Sequence, residues 1–166
     1  MKIRKAVQED VAGIARVHVD SWLETYQGIV PDAYLNGLRY EKRERLWKKN
    51  LKEFEVLVAE TDTGHVVGFA SWGLSRTHPQ YSGELNAIYL LQGYQGKGLG
   101  RKLFEEVVAV SKNHHIHSMM VKVLEDNKAC SFYEAMGGRE IDTIMIEIEG
   151  EQLRECIYGW EYISNP

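Results

Sequence analysis

Leu85-Asn86-Ala87-Ile88-Tyr89-Leu90-Leu91, followed by Gln92-Gly93-Tyr94 and then Gln95-Gly96-Lys97-Gly98-Leu99-Gly100-Arg101, is an apolar run that turns through glycines into a helix-forming segment. The run reads as a strand beginning at Glu84. Past Gly98, Leu99, Leu103, Phe104, Val107 and Val108 fall on one side of a helix and Arg101, Lys102, Glu105 and Glu106 largely on the other. A helix start carries unpaired N–H groups and a partial positive charge, so an anion placed there meets several donors and a favourable dipole. Gly96, Gly98 and Gly100 have no Cβ to hold a phosphate away, and Lys97, Arg101 and Lys102 put cations within reach.

The spacing separates this loop from two nucleotide loops. Gly-x-Gly-x-Gly is not the Gly-x-Gly-x-x-Gly of a dinucleotide fold, and Gly96-Lys97 is followed by glycine rather than Ser or Thr. An ordinary glycine-rich turn into an amphipathic helix remains the plain alternative.

Working outward, Lys2 to Ala6 alternates as a short strand, and Val11, Ile14, Ala15, His18 and Trp22 recur at helical spacing to about Tyr26. Gly28-Ile29-Val30-Pro31 ends that helix, and a second helical region follows over 32–52, broken near Gly37, with Leu46 and Leu51 as its apolar contacts. Phe54 to Glu60 and His65 to Leu74 form a hairpin about Thr61-Asp62-Thr63-Gly64. Beyond the glycine loop and its helix, which ends around Asn113, come a strand over 117–124, a short helix over 127–136 closed by Gly137-Gly138, and a strand pair over 139–147 and 154–163. The order β-α-α-β-β-β-α-β-α-β-β predicts an α/β (α+β) fold in one domain, residues 1–166.

Net charge −4 and pI 5.9 argue against neutralising many phosphates along a nucleic acid. No segment approaches membrane-spanning length, and no signal peptide is visible. Cys130 and Cys156 show no paired spacing and read as reduced thiols of a cytoplasmic protein. His114, His115 and His117 have no Cys or carboxylate at ligand spacing, so they read as a solvated helix end and no metal is expected.

Gln95-x-x-Gly98-x-Gly100 between a strand and a helix resembles the signature of the GNAT superfamily of acyl-CoA N-acyltransferases. The element order and the later Asn127-x-x-x-x-Phe132-Tyr133-x-x-x-Gly137 pattern resemble the same family, so the likeness spans nearly the whole chain. Gly138 departs from it, standing where such proteins often carry an aromatic residue, which questions the packing beneath the last helix. The resemblance implies a mixed central sheet splayed between the fourth and fifth strands. It also implies acetyl-CoA as cofactor, with its pyrophosphate on Gln95, Gly96, Lys97, Gly98, Leu99, Gly100 and Arg101 and its pantetheine arm along Ile88, Tyr89 and Leu90. Arm amides can pair with the backbone where parallel strands part. Asn127 has an amide able to bond the arm and is equally natural as a cap for its own helix.

Acetyl transfer to an alkyl amine needs the neutral amine, which costs roughly 4 to 5 kcal/mol at pH 7 for a pKa near about 10.4. By resemblance Glu84, eleven positions before Gln95, is the base, directly or through water; otherwise it is a solvated carboxylate at a strand end. Tyr133 matches the place of the family's acid, and a phenol suits protonation of a thiolate of comparable basicity; its alternative is a packing tyrosine. Trp22, Tyr26 and Trp72, with Tyr89, are candidates for an aromatic acceptor cleft or for core. The expected activity is direct acetyl transfer in a ternary complex to a primary amine on a small molecule or peptide. A non-catalytic acyl-CoA sensor is the competing class. Oligomeric state is open, a homodimer being one option.

Overall fold

The computed structural model describes residues 1–164. Its elements run β1 (Lys2–Lys5), α1 (Val11–Tyr26), α2 (Asp32–Asn36), α3 (Tyr40–Glu53), β2 (Glu55–Glu60), β3 (Val66–Leu74), β4 (Gly83–Leu90), α4 (Leu99–Asn113), β5 (Met119–Leu124), α5 (Ala129–Ala135), β6 (Arg139–Ile148) and β7 (Glu151–Trp160). The region 32–52, read as a helix pair broken near Gly37, is two helices, the chain being extended at Arg39 between them. Its buried anchor is Trp47 at 3% exposure, whereas Leu46 is exposed, correcting the phase assigned to that helix. The 117–124 strand starts two residues later than expected, and the 127–136 helix is shorter at both ends.

The sheet order is β1-β2-β3-β4-β5-β7-β6, antiparallel throughout except for the β4–β5 pair. Leu103, Phe104, Val107 and Val108 of α4 pack on one face with Trp72, Leu85 and Val121. Each such side chain contributes roughly 1.5 to 3 kcal/mol of apolar burial, so α4 is fixed firmly against the sheet. The other face is covered by α1 and α3, whose Ile14, Val17 and Trp47 pack with Phe69 of β3.

Two features of β4 shape the cleft beside it. Trp72 lies opposite Leu85 and Ser71 opposite Ala87, so Asn86 is an extra residue, a bulge that bends the strand and increases its twist. The parallel register of β4 with β5 then stops after Gly83–Met119 and Glu84–Met120, although β4 continues to Leu90 and β5 to Leu124. The gap between the strands is the splay that the resemblance implied.

Gly138 leaves no hole. A Cβ there would lie 2.8 Å from Trp160 Cζ2, and the Trp160 indole N–H donates to the Met136 carbonyl at 3.0 Å. An aromatic side chain from β7 thus occupies the space beneath α5.

Candidate active site

The turn from β4 into α4 has its donors free. Among the described residues no backbone N–H from Gly96 to Arg101 is bonded to a protein acceptor, and the first amide of the helix to find one is Lys102, on the Gly98 carbonyl at 3.1 Å. Gly96 and Gly98 hold φ of +72° and +79°, a left-handed conformation costly for residues with a Cβ, and a Cβ on either would meet nothing within 4 Å. A Cβ on Gly100 would instead lie 3.4 Å from Phe132 Cε2. The loop is therefore an open arc of amide donors over a helix start, suited to a diphosphate.

Side chains hold the arc in place. The Gln95 amide donates to the Leu90 carbonyl at 2.9 Å, and Glu24 of α1 accepts from the Gln92 N–H at 2.9 Å. Lys97 donates to the Gly93 carbonyl at 2.9 Å and lies over the Tyr94 ring. Leu99 is buried against Ala59 and Val67, anchoring the first turn.

A cavity of about 640 Å³ runs from this arc into the splay. It gathers Gln95, Gly96, Gly98, Gly100 and Arg101 of the turn, Ile88, Tyr89 and Leu90 of β4, and Tyr26, Asn127 and Tyr133. Lys97 and Leu99 stand outside it and border a smaller hollow with Met1 and Ile3. The unbonded amides, the open space above two glycines and the parted strands fit a coenzyme with a diphosphate and a narrow amide-bearing arm.

Tyr133 is 5% exposed, and its hydroxyl has no hydrogen-bond partner among the described residues. Burial is the main reason its phenol is held above the usual range, with Tyr89 and Cys130 adding to the shift, so it keeps its proton at neutral pH. Asn127 is occupied on both sides. Its carbonyl oxygen accepts from the Ala129 N–H at 2.9 Å, capping α5, and its amide donates to the Tyr26 hydroxyl at 2.9 Å. Burial likewise raises the Tyr26 phenol, leaving it a proton donor.

The other expected residues are placed differently. Glu84 sits half-buried at the closed end of the splay, not on the cavity wall. Trp22 stands behind the wall, its indole donating to the Tyr89 hydroxyl at 3.2 Å and its ring against Tyr26. Trp72 is core at 3% exposure, in edge contact with His114 on the α4 face, and does not reach the cavity. Cavity residues to which no sequence pattern assigned a site role include Asn86 at the bulge, Lys122 on β5, Ser21 of α1 and Phe132 of α5. Phe132 was visible within the second motif; the rest depend on strand register and helix docking, which no local pattern encodes.

Cys130 and Cys156 are both free thiols, and among the described residues no group of three or more His, Cys, Asp or Glu is placed to hold a metal. No helix among them is long and apolar enough to cross a membrane.

A sequence model of the Acetyltransferase (GNAT) family matches residues 9–138. The uncharacterized N-acetyltransferase YuaI of Bacillus subtilis is 42% identical over 98% of this chain and 94% of its own length. The L-amino acid N-acyltransferase MnaT of Escherichia coli is 30% identical over 78% of the chain and 73% of its own. The fold is shared with the PaiA N-acetyltransferase of Thermoplasma acidophilum, solved with coenzyme A, at TM-score 0.75 and 24% identity over 93% of this chain and 96% of that one. The chain is therefore a member of the GNAT acetyltransferase family.

Proposed function

We propose that the whole chain acts as one N-acetyltransferase domain that moves acetyl from acetyl-CoA directly to a primary amine bound in the same complex. The observation that carries this is the unbonded amide arc at Gly96 to Arg101 opening into the β4–β5 splay. When bound, acetyl-CoA supplies an acetyl group already activated as a thioester. The loop from Gln95 to Arg101 holds the diphosphate, and the freed edge of Ile88, Tyr89 and Leu90 orients the arm. Asn127, bonded to Tyr26 and Ala129, keeps the second N–H of its amide for the arm.

Glu84, directly or through water, takes the proton from the acceptor ammonium, so that the nitrogen lone pair can form the amide bond as the C–S bond breaks. Tyr133 Oη delivers its proton to the departing sulfur, and the second proton that nitrogen sheds as the amide forms restores the phenol through water. Its burial and unpartnered hydroxyl support that role. Tyr26 lies on the acceptor side of the cavity, with Trp22 packed behind it; Trp72 supports the site from the core.

Family members act on amines, and the named E. coli relative makes free amino acids one class to test beside polyamines and protein amino termini. The two free cysteines support a cytoplasmic location. A homodimer is the oligomeric option to test by light scattering. The function itself is tested by amine-dependent release of free thiol from acetyl-CoA. Tight acetyl-CoA binding with no thiol release from any amine class would instead support a sensor.

A further inference from the structure

Three charged side chains on one face of the sheet stand without protein partners. Glu84 lies opposite Met120, and Lys122, two residues further along β5, points to the same face. Lys122 lies opposite Ile157 and Leu124 opposite Glu155, which puts Glu155 of β7 on that face too. Across β4, β5 and β7 the row therefore reads carboxylate, ammonium, carboxylate. All three residues are half-buried, and among the described residues none makes an ion pair or a side-chain hydrogen bond with a protein group.

The surroundings are apolar on both sides. Tyr81, Met120 and Ile157 pack together at one end of the row, and Tyr26, Leu35 and Leu124, with the end of α1 and α2, at the other. Lys122 also lines the cavity, so the row meets the splay where Glu84 closes it. Burial raises the Glu155 carboxyl; the Lys122 charge opposes the shift and the Glu84 charge adds to it. Half-buried charges left without partners are costly, and a ligand that pairs with them recovers the cost.

We infer that this row is the acceptor subsite and that the acceptor carries a carboxylate close to its amine. Lys122 takes the carboxylate, Glu84 faces the amine at the closed end of the splay, and Glu155 positions Lys122 from the far strand. An acceptor lacking an anion leaves the Lys122 ammonium without a ligand partner. The assignment rests on the transferase reading and adds to it the residues that choose the acceptor.

The test is thiol release at fixed acetyl-CoA over matched sets, each an L-amino acid, its α-carboxamide and the corresponding decarboxylated amine, with polyamines and peptide amino termini alongside. The expected result is kcat/KM for the free acid about tenfold or more above the other two members of its set. Lys122→Met brings the ratio near one, Lys122→Arg restores much of it, and Glu155→Gln raises KM for the free acid with kcat nearly kept. The wild-type ratio decides even where a variant folds poorly. Equal or better turnover of carboxamides, decarboxylated amines or polyamines overturns the subsite while leaving the transferase standing. Absence of thiol release with every acceptor overturns both.

Discussion

Tyr133 is the side chain whose removal separates chemistry from binding. It lines the cavity and its hydroxyl has no partner among the described residues, so Tyr133→Phe deletes a proton donor without orphaning another group there. Turnover is expected to fall by about 100-fold or more with the acetyl-CoA dissociation constant nearly unchanged, read by steady-state kinetics beside calorimetry. Because burial holds the phenol above its usual range, its deprotonation should not limit the rate at or below about pH 9.

A second residue-scale prediction concerns stability. The Arg4 guanidinium donates to Asp10 at 2.7 and 2.9 Å and to Glu60 at 2.7 Å, tying β1 and β2 to the start of α1. The Arg4 hydrogen bonds are the main cause holding the buried Asp10 carboxyl below its usual range. A lowered carboxyl pKa contributes stability in full above about pH 4, and the contribution is lost as pH falls through the lowered value. Arg4→Met leaves Asp10 with the Val7 N–H as its one partner among the described residues, and is expected to cost about 2 to 3 kcal/mol at pH 7. Melting curves from pH 7 to pH 3 should show the variant and the parent converging in acid.

At the scale of elements, the glycine loop gives a controlled comparison. Gly98 and Gly64 have nearly the same positive φ, +79° and +83°, and a Cβ on either meets nothing within 4 Å. Both Gly→Ala changes should carry a similar conformational cost of about 1 to 2 kcal/mol. Only Gly98→Ala should weaken acetyl-CoA binding, by about tenfold or more, because only Gly98 belongs to the donor arc. Equal affinities for the two variants in calorimetry would detach the arc from binding.

The β-α turn was legible in the sequence because it is local: a glycine pattern, an apolar run and a helical period coincide within residues 85–108. The Asn127–Gly137 motif was legible for the same reason. Faces were not. Trp72 and Leu85 share the α4 side only because Asn86 is bulged out of β4, and one extra residue reverses which side chains look toward the acceptor. Trp47 rather than Leu46 is buried because α3 docks on α1 beside His18, whose ring nitrogen accepts from the Trp47 indole at 3.0 Å. Helical spacing alone left both phases open. The charged row of Glu84, Lys122 and Glu155 was similarly hidden, since it exists only after β7 inserts between β5 and β6.

At the scale of the whole molecule, the C-terminal strand completes a site whose motifs lie far upstream. Trp160 of β7 fills the space above Gly138 and lies edge-on to Tyr133, with ring centroids 6.2 Å apart. Gly138→Ala would press a Cβ against the indole and the Tyr133 carbonyl, and is expected to cost about 1 to 3 kcal/mol. Turnover should fall with stability because Tyr133 moves with its helix; a variant as stable and as active as the parent in melting and kinetic assays would show that β7 does not support the acid.

The amide arc and the parted strands together are the centre of the account, and amide hydrogen exchange with and without acetyl-CoA measures them most directly. Binding should slow exchange about tenfold or more at Gly96 to Arg101, with further protection along residues 86–90. Protection confined to other segments, with the 96–101 amides exchanging as fast as in the free protein, would contradict it.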